Sequence, residues 1–257
     1  MIEYQRVKLI ISYDGTPFHG FQRQENAVTV QETLENALRS LFGYEICVGG
    51  CSRTDAGVHA EYFATHFDIP ASFPAERLFC ALNPFLPETI RAYESSCMPE
   101  QFNSRFCCRS KTYRYDFVTA HVPSPFYVNR AWQLNFRLDA GKMNKAAGGF
   151  TGIHDFKSFM ASGSEVSSTV RTVNSASIVE TNSGEIQKIS FYINADGFLY
   201  NMVRIIAGTL VYISEGKLSP DVSEIITAKN RAAAGITAPP YGLYLYKVYY
   251  DDVQTKN

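Results

Sequence analysis

With 257 residues, 46% of them apolar, the chain can bury a substantial core as one large domain or two lobes. Charged residues make up 19% and aromatics 14%, a balance that excludes a mostly disordered chain. The net charge is −1, the first residues lack the basic start and apolar stretch of a signal peptide, and every apolar run is too short or interrupted to span a bilayer; the expected location is cytoplasmic, with no membrane contact.

Residues 7–12, Val-Lys-Leu-Ile-Ile-Ser, predict a strand, and 13–24 an irregular loop with exposed aromatics. Thr29 and Glu32 form a capping box for a helix over 30–42, with Val30, Leu34, Ala37, Leu38 and Leu41 on one face and Gly43 ending it. Strand-like runs at 44–48 and 61–68 flank a polar loop. A helix over 75–82 is stopped by Pro84 and Pro87, and 89–95 predicts a strand. The order is β-α-β-β-α-β, that of a ferredoxin-like unit.

From about Phe102 the theme repeats with larger loops. Strands are expected over 107–118 and 130–136, and Asp139 caps a helix running to 147. A hairpin of 175–180 and 185–194 turns around Asn182-Ser183-Gly184. A strongly apolar helix over 198–214, a short helix over 220–229 and a strand over 243–249 complete the chain. The predicted architecture is α+β, two ferredoxin-like or RRM-like lobes over 1–103 and 104–257. Each has a mainly antiparallel sheet with helices packed on it, and an active-site cleft is expected between the lobes.

Charge is unevenly distributed. Residues 1–103 carry 7 Lys and Arg against 13 Asp and Glu, 104–171 carry 10 against 4, and 172–257 carry 7 against 8. The basic middle segment is either a path for a phosphate backbone or a solvated charged surface. Six cysteines show no Cys-x-x-Cys pairs and no zinc spacing and read as reduced packing residues. The five histidines lack the spacing of a metal site. Neither spacing predicts a metal site.

The stretch from Gly49 to Ala60, Gly-Gly-Cys-Ser-Arg-Thr-Asp-Ala-Gly-Val-His-Ala, holds Asp55 with Arg53 and His59 in one tight loop. A bare Asp-Ala-Gly is an ordinary turn, but twelve small, charged and hydroxyl-bearing residues between two strands are where sites are built. Cys51 with His59 suggests a thiol nucleophile, yet no orienting group accompanies them. Arg204, in the apolar helix, needs a carboxylate; Asp55 is one candidate, and pairing with Asp196 or snorkelling to solvent is the other. Tyr113, inside Lys111-Thr112-Tyr113-Arg114-Tyr115, suits stacking on a base next to phosphates or is a core aromatic. His154-Asp155 is a substrate-contacting pair or a turn.

Arg-Thr-Asp-Ala-Gly-Val-His-Ala resembles the signature of the tRNA pseudouridine synthase A family. The resemblance continues at Tyr13-Asp14-Gly15-Thr16 with Phe18-His19-Gly20-Phe21-Gln22, at residues 111–115, and at His154-Asp155-Phe156 with Ser158-Phe159. It covers Phe198-Leu199-Tyr200-Asn201-Met202-Val203-Arg204, Ala234-Gly235-Ile236-Thr237-Ala238-Pro239-Pro240 and Gly242-Leu243-Tyr244-Leu245 as well. Cys51-Ser52 and Pro240 depart from the common pattern, and neither touches a group with a chemical role.

The resemblance implies a cofactor-free, metal-free isomerase that converts uridine to pseudouridine at positions 38, 39 and 40 of the tRNA anticodon stem-loop, working as a homodimer. It assigns Asp55 as nucleophile, Arg204 as the cation that keeps it ionised and Tyr113 as the ring that stacks on the flipped uracil. Arg53 would fill the space the base leaves. Arg109, Lys111, Arg114 and His154 are the expected substrate contacts. Attack at uracil C6, attack at ribose C1′ and elimination to a glycal all remain open.

Overall fold

The computed structural model describes residues 3–163, 166–183 and 185–251. In chain order the elements are β1 (Tyr4–Tyr13), α1 (Val30–Phe42), β2 (Gly49–Gly50), β3 (His59–Pro70), α2 (Leu78–Leu82), β4 (Ile90–Met98), β5 (Cys108–Thr119) and β6 (Trp132–Leu134). They continue with α3 (Ala140–Gly148), β7 (Gly152–Asp155), β8 (Val170–Ser183), β9 (Ile186–Ala195), α4 (Met202–Ser214), α5 (Ser223–Ala228) and β10 (Leu243–Tyr250). The fold is mixed α+β with mostly antiparallel pairing. No helix among the described residues is long and apolar enough to cross a membrane. The chain divides into two compact units: the described residues up to Arg109 with those from Leu245 onward, and Ser110–Tyr244.

In the first unit the strand order is β4-β1-β3-β10, with β2 paired to β3. The last strand, expected from sequence in the second lobe, thus lies beside β3, and its residues from Leu245 belong to the first unit. Helix α1 keeps its expected bounds because its signals are local. The Thr29 hydroxyl accepts the Glu32 N–H at 3.3 Å, and Gly43 closes the helix at φ +83°.

The strand expected over 44–48 is absent, and only Gly49 and Gly50 pair with β3. Ile46 and Val48 are buried, but side chains of α1 take the place of a ladder. The Val48 N–H donates to Glu35 Oε1 at 3.1 Å, and its carbonyl accepts from Gln31 Nε2 at 3.1 Å. The helix expected over 75–82 is a 3-10 turn, Ala75–Arg77, followed by the short α2.

The second unit carries the order β5-β9-β8-β7, all antiparallel, with β6 parallel to β5. Along β9, Gln187, Ile189, Phe191, Ile193 and Ala195 are buried at every second position, the period of a half-buried strand. Register sets Tyr113 opposite Ile193, Tyr115 opposite Phe191 and Phe117 opposite Ile189, so all three aromatics share the core face. Strand β8 is longer than expected, β9 is shifted by one residue, and Gly184 of the expected turn lies outside the described residues. Helix α4 starts four residues later than expected. Asn201 sits at φ +59°, a left-handed conformation that Asn tolerates and that a helix cannot incorporate.

Candidate active site

Asp55 is partly buried on a loop held from beneath by the segment between β1 and α1. The Tyr13 hydroxyl and the Thr54 hydroxyl share a 2.8 Å hydrogen bond. The Phe21 N–H donates to the Thr54 carbonyl at 3.2 Å, the Gly57 N–H to the Phe18 carbonyl at 3.2 Å, and the Val58 N–H to Asp55's own carbonyl at 3.2 Å. A Cβ on Gly15 would lie 2.0 Å from the Val58 carbonyl oxygen, and one on Gly20, at φ +84°, 2.4 Å from the Thr54 carbonyl oxygen. Only glycine at both positions lets the two loops touch backbone to backbone.

His59 closes the other end of the loop and is 2% exposed. Its Nδ1 lies 3.0 Å from the Gly15 nitrogen and 3.1 Å from Asp14 Oδ1. Unprotonated, Nδ1 accepts from Gly15; protonated, it donates to Asp14. Either form tethers the loop. Phe21 stacks on Phe63 of β3 with centroids 4.4 Å apart, and Gly50 makes room for that ring. The result is a carboxylate whose backbone freedom is largely removed, the preorganisation a nucleophile or general base requires.

In the second unit, Arg204 Nε donates to the Ala238 carbonyl at 2.8 Å and Nη1 to Asn201 Oδ1 at 2.7 Å. The Ala238 N–H returns to the Arg204 carbonyl at 3.1 Å. Two glycines make this approach possible. A Cβ on Gly208 would lie 1.9 Å from the Ile236 carbonyl oxygen, and one on Gly235 2.6 Å from the Thr209 nitrogen. The Gly235 N–H also donates to Thr209 Oγ1 at 2.9 Å, and Arg231 binds the Gly235 carbonyl at 2.8 Å. Tyr115 Oη reaches the Pro239 carbonyl at 2.8 Å; burial pushes its phenol well up, with Arg204 pulling it down. Tyr113 is 7% exposed and meets Phe198 edge-on at 4.9 Å.

A tRNA pseudouridine synthase family model matches residues 146–251. The "tRNA pseudouridine synthase A" of Thermoanaerobacter sp. (strain X514) is 43% identical over 247 residues, covering 96% of this chain and 100% of that protein. That of Bacillus subtilis (strain 168) is 45% identical over 250 residues, again covering 96% and 100%. The chain belongs to the tRNA pseudouridine synthase A family. As a pseudouridine synthase it is an isomerase.

The remaining residues singled out from the sequence of this synthase have varied settings. Arg53 is exposed, and Lys111 is half-buried. Arg109 pairs with Asp251, its Nε 2.6 Å from Oδ2. Arg114 Nε donates to both Asp116 oxygens at 3.0 Å, and its guanidinium lies 4.4 Å from the Tyr244 ring centroid. His154 Nε2 is 3.0 Å from the Thr151 carbonyl. The adjacent Asp155 accepts from the Thr169 hydroxyl at 2.5 Å and pairs with Lys229 at 2.9 Å, which hold its carboxyl below the usual range. Phe156, Ser158 and Phe159 are fully buried, so this part of the motif builds core.

Of the cysteines expected to pack, Cys51 is buried and Cys108 half-buried, whereas Cys47, Cys80, Cys97 and Cys107 are exposed. Cys80 and Cys97 lie on the outward positions of α2 and β4. The supporting roles of Tyr13, Asp14, His59, Asn201 and Ala238 were not read from sequence. The motifs containing them marked the segments, but the contacts that give them roles join residues far apart in the chain.

Proposed function

We propose that the protein isomerises uridine to pseudouridine in the anticodon stem-loop of tRNA, at positions 38, 39 and 40, with Asp55 as nucleophile. The observation that carries this reading is the double clamp on the Asp55 loop, in which Gly15 and Gly20 pack against the backbone on both sides of the carboxylate. The net change breaks C1′–N1, forms C1′–C5 and exchanges the C5 hydrogen, lost as a proton, for a proton gained at N1, so neither oxidant nor reductant is consumed. Attack at uracil C6, attack at C1′ and elimination to a glycal all share these endpoints.

Arg204 is assigned to keep Asp55 ionised; a nearby cation lowers a carboxylate pKa by about 1 to 3 units. Tyr113 stacks on the uracil and assists removal of the C5 proton, and Arg53 fills the space the base leaves. Extruding a stem base costs a few kcal/mol, which such a guanidinium and phosphate contacts offset. Lys111 is the first phosphate contact, with Arg109, Arg114 and His154 completing the substrate surface. The protein works without metal or cofactor, as a cytoplasmic homodimer whose copies share one tRNA.

The test is incubation with unmodified tRNA carrying 5-tritiated uridine, without added metal or nucleotide. Asp55-dependent tritium release, mapped by sequencing to positions 38–40, is the expected outcome. Release mapping outside the anticodon arm overturns the substrate assignment, and no release from several tRNAs overturns the enzymatic reading.

A further inference from the structure

One turn of the first unit holds a large aromatic ring in solvent, and its surroundings explain how. Phe102 is 3% exposed, with its ring 5.4 Å from that of Tyr250 and 6.3 Å from that of His66. Ser104 is fully buried. Its N–H reaches His66 Nδ1 at 3.2 Å, its hydroxyl lies 2.8 Å from the same atom, and its carbonyl accepts from Tyr250 Oη at 2.6 Å. A Cβ on Gly49 would lie 2.1 Å from the His66 ring, so the glycine of β2 makes room for this post.

Between these anchors Asn103 Oδ1 accepts the N–H groups of Arg105 at 2.9 Å and Phe106 at 3.1 Å, and the Asn103 carbonyl accepts the Cys107 N–H at 2.9 Å. The turn therefore projects Arg105 and Phe106 outward. Phe106 is 78% exposed, and the Arg105 guanidinium lies 5.5 Å from its ring centroid.

A ring this exposed on a turn this firmly anchored is presented to something. The residues from Asn103 to Arg114 include four Lys and Arg and no Asp or Glu, the charge complement of a phosphate backbone. An aromatic face beside a guanidinium is the arrangement that stacks on a nucleobase whatever its identity. The apolar centre of a protein interface is instead depleted of charge.

We propose that Phe106 is a stacking platform for an unpaired base of the RNA substrate, with Arg105 contacting the adjoining phosphate. This rests on the proposed RNA substrate and adds a contact apart from the Asp55 loop.

Phe106→Ala, Phe106→Trp and Arg105→Ala in the full chain test it with unmodified tRNA. Phe106→Ala is expected to raise Kd about tenfold, about 1.4 kcal/mol, with kcat at saturating tRNA unchanged. Phe106→Trp keeps affinity within about twofold, and its added emission, above that of the chain's single native Trp, is quenched on binding. Arg105→Ala weakens binding and flattens its salt dependence. Wild-type affinity for Phe106→Ala, or Phe106→Trp emission indifferent to tRNA, overturns the proposal. So does a Phe106→Ala protein that changes its sedimentation mass while keeping its RNA affinity, because a second copy then covers the ring. If the unaltered protein releases no tritium, the functional reading fails, while the Kd comparison still decides on Phe106.

Discussion

The hydroxyls of Tyr13 and Thr54 meet in a 2.8 Å hydrogen bond that ties the last residue of β1 to the residue preceding Asp55. Both groups are buried, so removing one takes a buried hydrogen bond from the other. Tyr13→Phe is expected to destabilise the protein by about 1 to 3 kcal/mol. Thr54→Val has a similar effect, and the double substitution costs less than the sum of the singles. Denaturant unfolding of the four proteins checks this. Additive losses would mean that the bond contributes nothing of its own.

Asp55→Asn keeps the shape of the side chain and removes its nucleophilicity. Pseudouridine formation is expected to fall more than about 10³-fold, with tRNA Kd unchanged. Single-turnover assays of tritium release make the measurement. Activity within a factor of ten of the unaltered protein would remove Asp55 from the chemistry.

Gly208→Ala puts a methyl where the Ile236 carbonyl oxygen lies 1.9 Å away, and so drives residues 236–238 off α4. The loss is expected to exceed about 2 kcal/mol, with activity falling as Ala238 leaves Arg204. Gly148→Ala, at a helical position where nothing lies within 4 Å, is expected to stabilise by up to about 1 kcal/mol. Thermal unfolding of the two variants separates close backbone approach from helix propensity.

Lys111 and Arg114 sit three residues apart in the basic segment, but Arg114 is engaged by Asp116 and by the Tyr244 ring. Lys111→Ala is expected to reduce the slope of log K against log salt by up to about 0.9. Arg114→Ala is expected to lower stability more than it alters that slope. Tritiated tRNA binding at four salt concentrations distinguishes them.

Asp155 contributes a pH-dependent stability. The Thr169 hydroxyl, then Lys229, hold its carboxyl below the ordinary carboxylate range in the folded protein. Its contribution is therefore complete above the unfolded value of about 3.9 and is lost as pH falls through the lower folded value. Asp155→Asn is expected to be less stable than the unaltered protein at pH 6, with the gap closing below about pH 4. A gap that persists unchanged to pH 2 would refute the linkage.

The sequence by itself determined whatever rests on neighbours in the chain. Thr29 and Gly43 bound α1 because a cap is satisfied within four residues, and residues 185–194 read as one strand of a hairpin within a residue of β9. The motif around Asp55 was legible for the same reason, since its glycines, carboxylate and cations are contiguous. Tertiary structure decided the rest. Residues 44–48 look like a strand, yet Glu35 and Gln31 supply the hydrogen bonds of Val48. β10 reads as part of the second lobe but lies beside β3. The pressing of Gly15 and Gly20 onto residues 54–58, and of Gly235 and Ala238 onto α4, joins backbone groups far apart in the chain. Periodicity is blind to such contacts, because a backbone donor carries no mark of which distant carbonyl it will meet.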